Sequence, residues 1–239
     1  MSHIRICYVL KLKTGGLWGS GKGLLEADNV TSLCRHASGL EVPCIPATYV
    51  KGLLRRSSEE VIHLLQKLDI VKDLHILEEV YGPLTPFGDE ASPRPCNTYF
   101  APLYPVRSLE QAARLARDRP LAYLHRDDVL HAPQLYGEPH VRIDDRSARA
   151  SVGGLYRELR VVPGTLFYGE ILHYPSNVSL SVPAARILVI AVSMLGYRYA
   201  GRKTIVAPRI ISVEPKQLEK DPILRIVLEA KGLKSENRR

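Results

Sequence analysis

Residues 155–174 read LYRELRVVPGTLFYGEILHY, two runs rich in β-forming residues on either side of Pro163–Gly164, a dipeptide that punctuates chains at turns. Leu155–Val162 and Leu166–Tyr174 are therefore expected to pair as a hairpin, and their flanks decide the fold. On the C-terminal side, residues 182–195 are apolar almost all round, as a helix buried against a sheet is, and Ile205–Val213 reads as a strand. On the N-terminal side, His3–Leu12 reads as a strand, and a helix starts near Thr48. Its apolar positions Val50, Leu54, Val61, Leu65 and Leu68 share one stripe. The resulting order, β(3–12) α(48–68) β(155–162) β(166–174) α(182–195) β(205–213), is βαββαβ. It predicts an α+β, ferredoxin-like (RRM-like) core with helices on one face of a sheet.

The whole chain, 1–239, is then one domain. Residues 3–68 and 155–213 form the core, and residues 69–154 form a large insertion. Within the insertion, Leu74–Tyr81 reads as a short helix ended by Gly82–Pro83. Residues 83–105 are proline-rich loop with one short extended piece, Leu109–Asp118 is helical, and 119–139 is irregular. After the core, Asp221–Pro222 opens an amphipathic helix, and KGLKSENRR (231–239) is a basic tail.

With 45% hydrophobic residues in 239, the chain has the composition of a globular protein. Lys plus Arg number 33 against 25 acidic residues, a net charge of +8, which favours a polyanionic partner such as nucleic acid. No apolar run is read as long enough to span a bilayer and no signal-peptide pattern opens the chain, so a cytoplasmic location without a membrane partner is expected. Cys7, Cys34, Cys44 and Cys96 have no C-x-x-C spacing and are expected to be reduced. Cys34, His36 and Cys44 would supply three zinc ligands, without a familiar spacing or a fourth ligand. The chain has only eight Asn plus Gln residues, a composition that hints at a thermophilic source.

Residues 15–23, GGLWGSGKG, hold the spacing G-x-x-x-x-G-K of a phosphate-cradling loop. A nucleotide hydrolase also needs a Ser or Thr after the lysine to hold Mg²⁺. Gly23 stands there, and loop rather than helix follows, so that reading is set aside. Either this is a flexible glycine-rich surface loop, or Lys22, Trp18 and the exposed backbone touch a phosphate chain. Among other candidates, His125, His131 and His140 read as solvated loop residues. Asp127–Asp128 and Asp144–Asp145 are adjacent pairs that point to opposite faces of an extended chain.

Residues 45–56, IPATYVKGLLRR, open the first helix. Thr48 suits the N-cap, where its hydroxyl can accept from a first-turn N–H. The capping-box position three residues on is Lys51, and Arg55 shares its face, with Arg56 beside it. Cations at the positive end of a helix dipole are unfavourable unless an anion docks there. Gly52 costs helix stability but permits close backbone approach. Together these features point to a bound phosphate chain, against the alternative of a solvated basic face.

The stretch IPATYVKGLLR resembles the I-P-G-S-S-L-K-G-x-L-R signature of the RAMP superfamily, RNA-binding proteins of CRISPR systems. The glycine-rich loop ending in Ala27–Asp28–Asn29 and the segment 140–171, HVRIDDRSARASVGGLYRELRVVPGTLFYGEI, resemble further family motifs. The likeness covers about the first quarter and the middle third of the chain. It is strongest to the guide-RNA-binding backbone subunit of type III effector complexes, which self-associates along the RNA beside other effector subunits. That resemblance implies a modified ferredoxin-like core. It also implies a thumb hairpin at about Tyr136–Arg160 intruding between guide and target RNA, with Arg142, Arg146 and Arg149 available to phosphates. Ala47 and Tyr49 depart from the signature, where the family has Gly and a small residue; Tyr49 could stack on a base or sugar. The family's C-terminal glycine-rich loop is here LGYRYAGRKTIVAPR, kept basic by Arg198, Arg202 and Lys203.

In such subunits an Asp of the first loop is needed for metal-dependent cleavage of target RNA. The matching residue is Asp28, with Glu26 as fallback, and the implied cofactor is Mg²⁺ or a similar divalent cation. RNA brings its own 2′-OH nucleophile, so one carboxylate holding a hydrated ion suffices in principle. Against this, Asp28 can be a loop aspartate that caps its own turn. Two other functions remain open: a structural RNA-binding subunit that cuts nothing, and a guide-processing, metal-independent endoribonuclease of the same superfamily.

Overall fold

The computed structural model describes residues 3–19, 29–67, 75–82, 96–126, 132–143 and 150–230. Its first strand, β1 (Ile4–Leu12), is buried at every position but Lys11. Side chains alternate across a strand. Ile4, Ile6, Tyr8, Leu10 and Leu12 therefore join one core cluster, whereas Cys7 and Val9 join another. A strand buried on both faces must lie inside the sheet.

Short strands β2 (Asn29–Val30), β3 (Leu33–Arg35) and β4 (Glu41–Pro43) precede helix α1 (Ala47–Lys67). The insertion contributes α2 (His75–Tyr81), β5 (Thr98–Phe100), β6 (Tyr104–Val106) and α3 (Leu109–Leu115). Then come β7 (Leu135–Ile143), β8 (Ala150–Val161), β9 (Leu166–His173), α4 (Ser181–Met194), β10 (Val206–Glu214) and α5 (Pro222–Ala230). The fold is α+β with antiparallel pairing throughout the main sheet, in the order β10–β1–β9–β5, with β6 also on β9.

The expected hairpin between residues 155–162 and 166–174 is not formed. Ile4 lies opposite His173 and Lys11 opposite Leu166. Leu12 N–H donates to Thr165 O at 2.9 Å, and Gly164 N–H donates to Leu12 O at 2.9 Å. Gly16 continues in the same register, exchanging both backbone bonds with Val161. Residues 161–173 thus run as one extended line beside the first strand, and Pro163–Gly164, with Gly164 at φ +88°, bends that line without reversing it. Strand β8 leaves the main sheet and pairs with β7, from Leu135 opposite Val161 to Ile143 opposite Ala150, and with β2 in parallel. Among the described residues, this β7–β8 ribbon takes in 136–143 and 150–160.

The place beside β9 is filled instead from the insertion, by two short strands where one extended piece was expected. They flank a crossing at which Leu103 lies over Gly169, where an added Cβ would come 2.5 Å from Leu103 Cγ. Helices α1 and α4 cover the first face of the sheet with Val50, Leu54, Ile62, Leu188 and Val192. Helix α3 and the 3₁₀ turn Ala122–His125 cover the second with Ala112, Leu115 and Tyr123. Within the segment 119–139, expected to be irregular, residues 122–125 form this 3₁₀ turn and residues 135–139 lie in β7.

One helical stretch, Val178–Tyr197, is long and apolar enough to cross a membrane by length and composition, contrary to the sequence reading. Its apolarity has a local cause, since α4 is buried at Ala184, Ala185, Ile187, Leu188, Val189, Ala191 and Val192 against the sheet and its neighbouring helices. Cys34 and Cys44 are joined by a disulfide with Cα atoms 5.6 Å apart, against the expectation of reduced thiols. The β3–β4 pairing, with Cys34 opposite Val42, brings them within bridging distance.

Candidate functional site

Helix α1 starts one residue earlier than expected. Val50 N–H donates to Pro46 O at 3.0 Å, so Thr48 lies inside the first turn and does not cap the helix. No acidic residue stands in that turn. Along the helix, Tyr49, Gly52 and Arg56 are exposed and Lys51 is half-buried, and seven-residue spacing puts Tyr49 and Arg56 on one face. Burial raises the Tyr49 phenol pKa, and the Arg56 charge opposes it. Arg55 is engaged by Glu59 at 3.1 Å. A Cβ added at Gly52 meets nothing within 4 Å, so the protein's own packing does not require glycine there.

The C-terminal basic loop is pinned in place. Arg198 pairs with Glu60 of α1. Tyr197 and Tyr199, on either side of it, are exposed. Lys203 is exposed and adopts left-handed backbone at φ 55°. Arg202 turns back to the ribbon, with Nη1 2.8 Å from Glu158 Oε1 and Nη2 donating to Tyr156 Oη at 3.1 Å.

The glycine-rich segment is packing at its described end. Trp18 is buried, donates from Nε1 to Ala200 O at 2.5 Å, and meets Phe167 edge-on at 5.2 Å. Leu17 N–H donates to Thr204 Oγ1. These N–H groups and the N–H of Gly16 are used within the fold, so neither the Trp18 ring nor these donors are free for a phosphate chain. Lys22, Glu26, Asp28, Arg146 and Arg149 lie outside the described residues, as does the side chain of Arg142. The described ends of the loop are Gly19, bridged to Thr31, and Asn29, opposite Glu158 on β8.

His36 is not a zinc partner of the cysteines. Its Nε2 lies 3.1 Å from Tyr123 O and its Nδ1 3.0 Å from Ser38 Oγ, and both sulfurs are in the disulfide.

One cluster was missed in the sequence. On the ribbon, Tyr136 lies opposite Arg160, Glu138 opposite Glu158 and His140 opposite Tyr156. The signal was period-two spacing of polar residues on both strands, which puts all six on one face. Glu158 and Arg160 are fully buried. Arg160 Nη2 lies 2.6 Å from Glu158 Oε2, and its Nε lies 2.7 Å from Glu138 Oε2. His140 Nε2 lies 3.1 Å from Glu158 Oε2 and 3.7 Å from Glu138 Oε2. Its ring stacks on Tyr156 at 5.2 Å. His140 is thus part of a charged network, not a solvated loop residue.

The fold matches chains of type III-B Cmr-beta. One is from a cryo-EM structure in the apo state, with TM-score 0.54 and 16% identity, covering 87% of this chain and 97% of the other. The second is from a structure of type III-B Cmr-beta bound to cognate target RNA, with TM-score 0.53 and 14% identity, covering 90% of this chain and 98% of the other. No family model and no curated protein matches the sequence.

Proposed function

We propose that the protein is a guide-RNA-binding backbone subunit of a type III CRISPR effector complex, assembling along RNA with further copies and other effector subunits. Strands β10, β1 and β9 with α1 and α4 are read as a modified ferredoxin-like core whose second-strand place is taken by β5 and β6. The β7–β8 ribbon is read as the thumb.

The observation that carries the RNA reading is the start of α1. A 21-residue helix begins without an acidic residue, beside Lys51 and Arg56, and spends about 1 kcal/mol on an exposed glycine that no neighbour demands. A ribose-phosphate strand across Tyr49, Gly52 and Arg56 accounts for all three: it supplies the anion, needs the close approach and can stack on the tyrosine. The likeness to chains of type III-B Cmr-beta, one of them from a structure of Cmr-beta bound to cognate target RNA, supports the same reading. Arg198, Arg202 and Lys203 extend the basic path, and Lys22, Thr48, Arg142, Arg146 and Arg149 are its further candidate contacts.

Cleavage of target RNA is assigned to Asp28, with Mg²⁺ or a similar divalent ion supplying charge stabilisation at the scissile phosphate. The residue after Asp28 is Asn29, whose pairing with Glu158 brings the end of the loop to the base of the ribbon.

The test is Lys51→Glu with Arg56→Glu, measured as affinity for single-stranded RNA across a salt series. Loss of both contacts is expected to weaken binding at least tenfold and to make the slope of log K against log salt shallower by about 1.4. Unchanged affinity and slope would refute the reading.

A further inference from the structure

We propose that Tyr197 and Tyr199 form a jaw that takes one unpaired RNA base between their rings, beside the exposed face of α1; this rests on the RNA-binding reading above. They are the most exposed tyrosines among the described residues, at 77% and 64%. Only Arg198 separates them, and its backbone is extended at φ −144° and ψ 169°. Side chains two residues apart in an extended chain stand on the same side, about 7 Å from one another. Two rings at that spacing leave room for one flat base, stacked at about 3.4 Å on each side.

The loop that carries the jaw is fastened on both sides. Arg198, between the tyrosines, turns the other way and pairs with Glu60 of α1. Beyond Tyr199, Ala200 N–H donates to Thr204 O at 2.8 Å, and Arg202 N–H donates to Leu17 O at 3.2 Å. The buried Trp18 ring donates to Ala200 O from below. Rings held in place before binding lose little freedom when a base enters, so more of the stacking energy is kept as affinity.

The jaw also lies on the strand path. Tyr49, Gly52, Arg56 and Glu60 are all exposed on α1, and their spacings of three and four residues put them on one face. Glu60 stands one turn beyond Arg56, so its pair with Arg198 sets the jaw at the far end of that face. From Tyr49 to Glu60 the helix rises about 16 Å. Arg198 is engaged by Glu60 and Arg202 by Glu158, which leaves stacking as the main contact the tyrosines add. A protein partner would also cover two exposed rings. The exposed cations Arg56 and Lys203 nearby and the net charge of +8 favour a polyanion instead.

The experiment measures the affinity of the full chain for single-stranded RNA across a salt series. Tyr197→Ala and Tyr199→Ala should each weaken binding by about fivefold or more, with the salt slope unchanged because no phosphate contact is lost. Tyr197→Phe and Tyr199→Phe keep the ring and should bind within about twofold of the parent. One base needs both rings, so the double alanine variant should lose no more than about twofold beyond the weaker-binding single variant. Alanine variants that bind as the parent does, losses that multiply in the double variant, or phenylalanine variants as weak as the alanine ones each overturn the jaw. The binding reading survives those outcomes if Lys51→Glu with Arg56→Glu still loses affinity. RNA that the parent does not bind at all overturns both.

Discussion

Two Arg–Glu clusters in this molecule share their chemistry and differ in closure. On the second face of the sheet, Arg5 of β1 meets Glu170 of β9, both buried. Arg5 donates from Nε at 3.0 Å and from Nη2 at 2.8 Å. Its Nη1 reaches the carbonyls of Ala116 and Asp118 just past α3, at 3.0 and 2.9 Å. Glu170 also accepts from Tyr168 Oη and from Leu121 N, at 2.8 and 2.9 Å. Burial alone would lower the Arg5 pKa, but the Glu170 hydrogen bonds win and raise it. At the base of the ribbon, Glu158 and Arg160 are as deeply buried but reach out to half-exposed Arg202 and Glu138. They also leave buried atoms of His140 and Glu158 without aligned partners. Arg5 Nη1 also lies 3.7 Å from half-exposed Glu214, but no buried side-chain atom of Arg5 or Glu170 is left unpartnered. The filled network holds the insertion on the sheet, and the unfilled one has capacity for another molecule.

The sharpest way to break this contrast is Arg5→Met. It strands the buried Glu170 carboxylate and should cost about 3–5 kcal/mol in chemical unfolding. A cost below 1 kcal/mol would mean that the closed cluster is not what holds α3.

A third pair, Arg186 with Asp221 at 2.5 Å, lies between the extremes. Asp221 also caps α5, accepting from Leu224 N and Ile223 N at 3.1 and 3.2 Å. The Arg186 hydrogen bond lowers the Asp221 pKa below its ordinary 3.8 despite partial burial. Its stabilisation is therefore complete above that value and fades as pH falls through the lower folded-state value. Asp221→Asn should cost about 1–2 kcal/mol at pH 7, and the gap to the parent should narrow in unfolding curves below pH 4.

At the open cluster, Arg202→Ala should cost under about 1 kcal/mol, because Arg202 is half exposed and Arg160 still pairs with Glu158, while RNA affinity falls. Stability loss equal to that of Arg5→Met would erase the distinction. The smallest effect has the opposite sign. Gly52→Ala should stabilise the free protein by about 0.5–1 kcal/mol in thermal melts and weaken RNA binding in the same preparation.

Much of the architecture was legible. The strand at 4–12, helices α1, α3, α4 and α5, and the strand at 206–214 followed from apolar period and from proline and glycine punctuation. The failures share a cause. Pro163–Gly164 marks a change of direction, but whether the chain reverses or merely bends depends on which strand lies alongside; here β1 continues past Leu12 to Gly16 and holds both runs in one register. Trp18 and Gly15 looked like a ligand loop because glycine reports only backbone freedom. The space is filled by Phe167 and Tyr136; a Cβ at Gly15 would come 2.1 Å from the tyrosine oxygen. The disulfide was hidden because cysteine spacing carries no information about a β3–β4 pairing.

By itself, then, the sequence determined the α+β class, the buried helices and the cationic start of α1, because local period, capping chemistry and charge act over a few residues. Tertiary structure alone decided that β8 leaves the sheet for the ribbon, and that Glu138, His140, Glu158 and Arg202 converge. The contacts between elements join positions 18 to 44 apart in the chain, and only strand register and loop packing can bring such distant groups together.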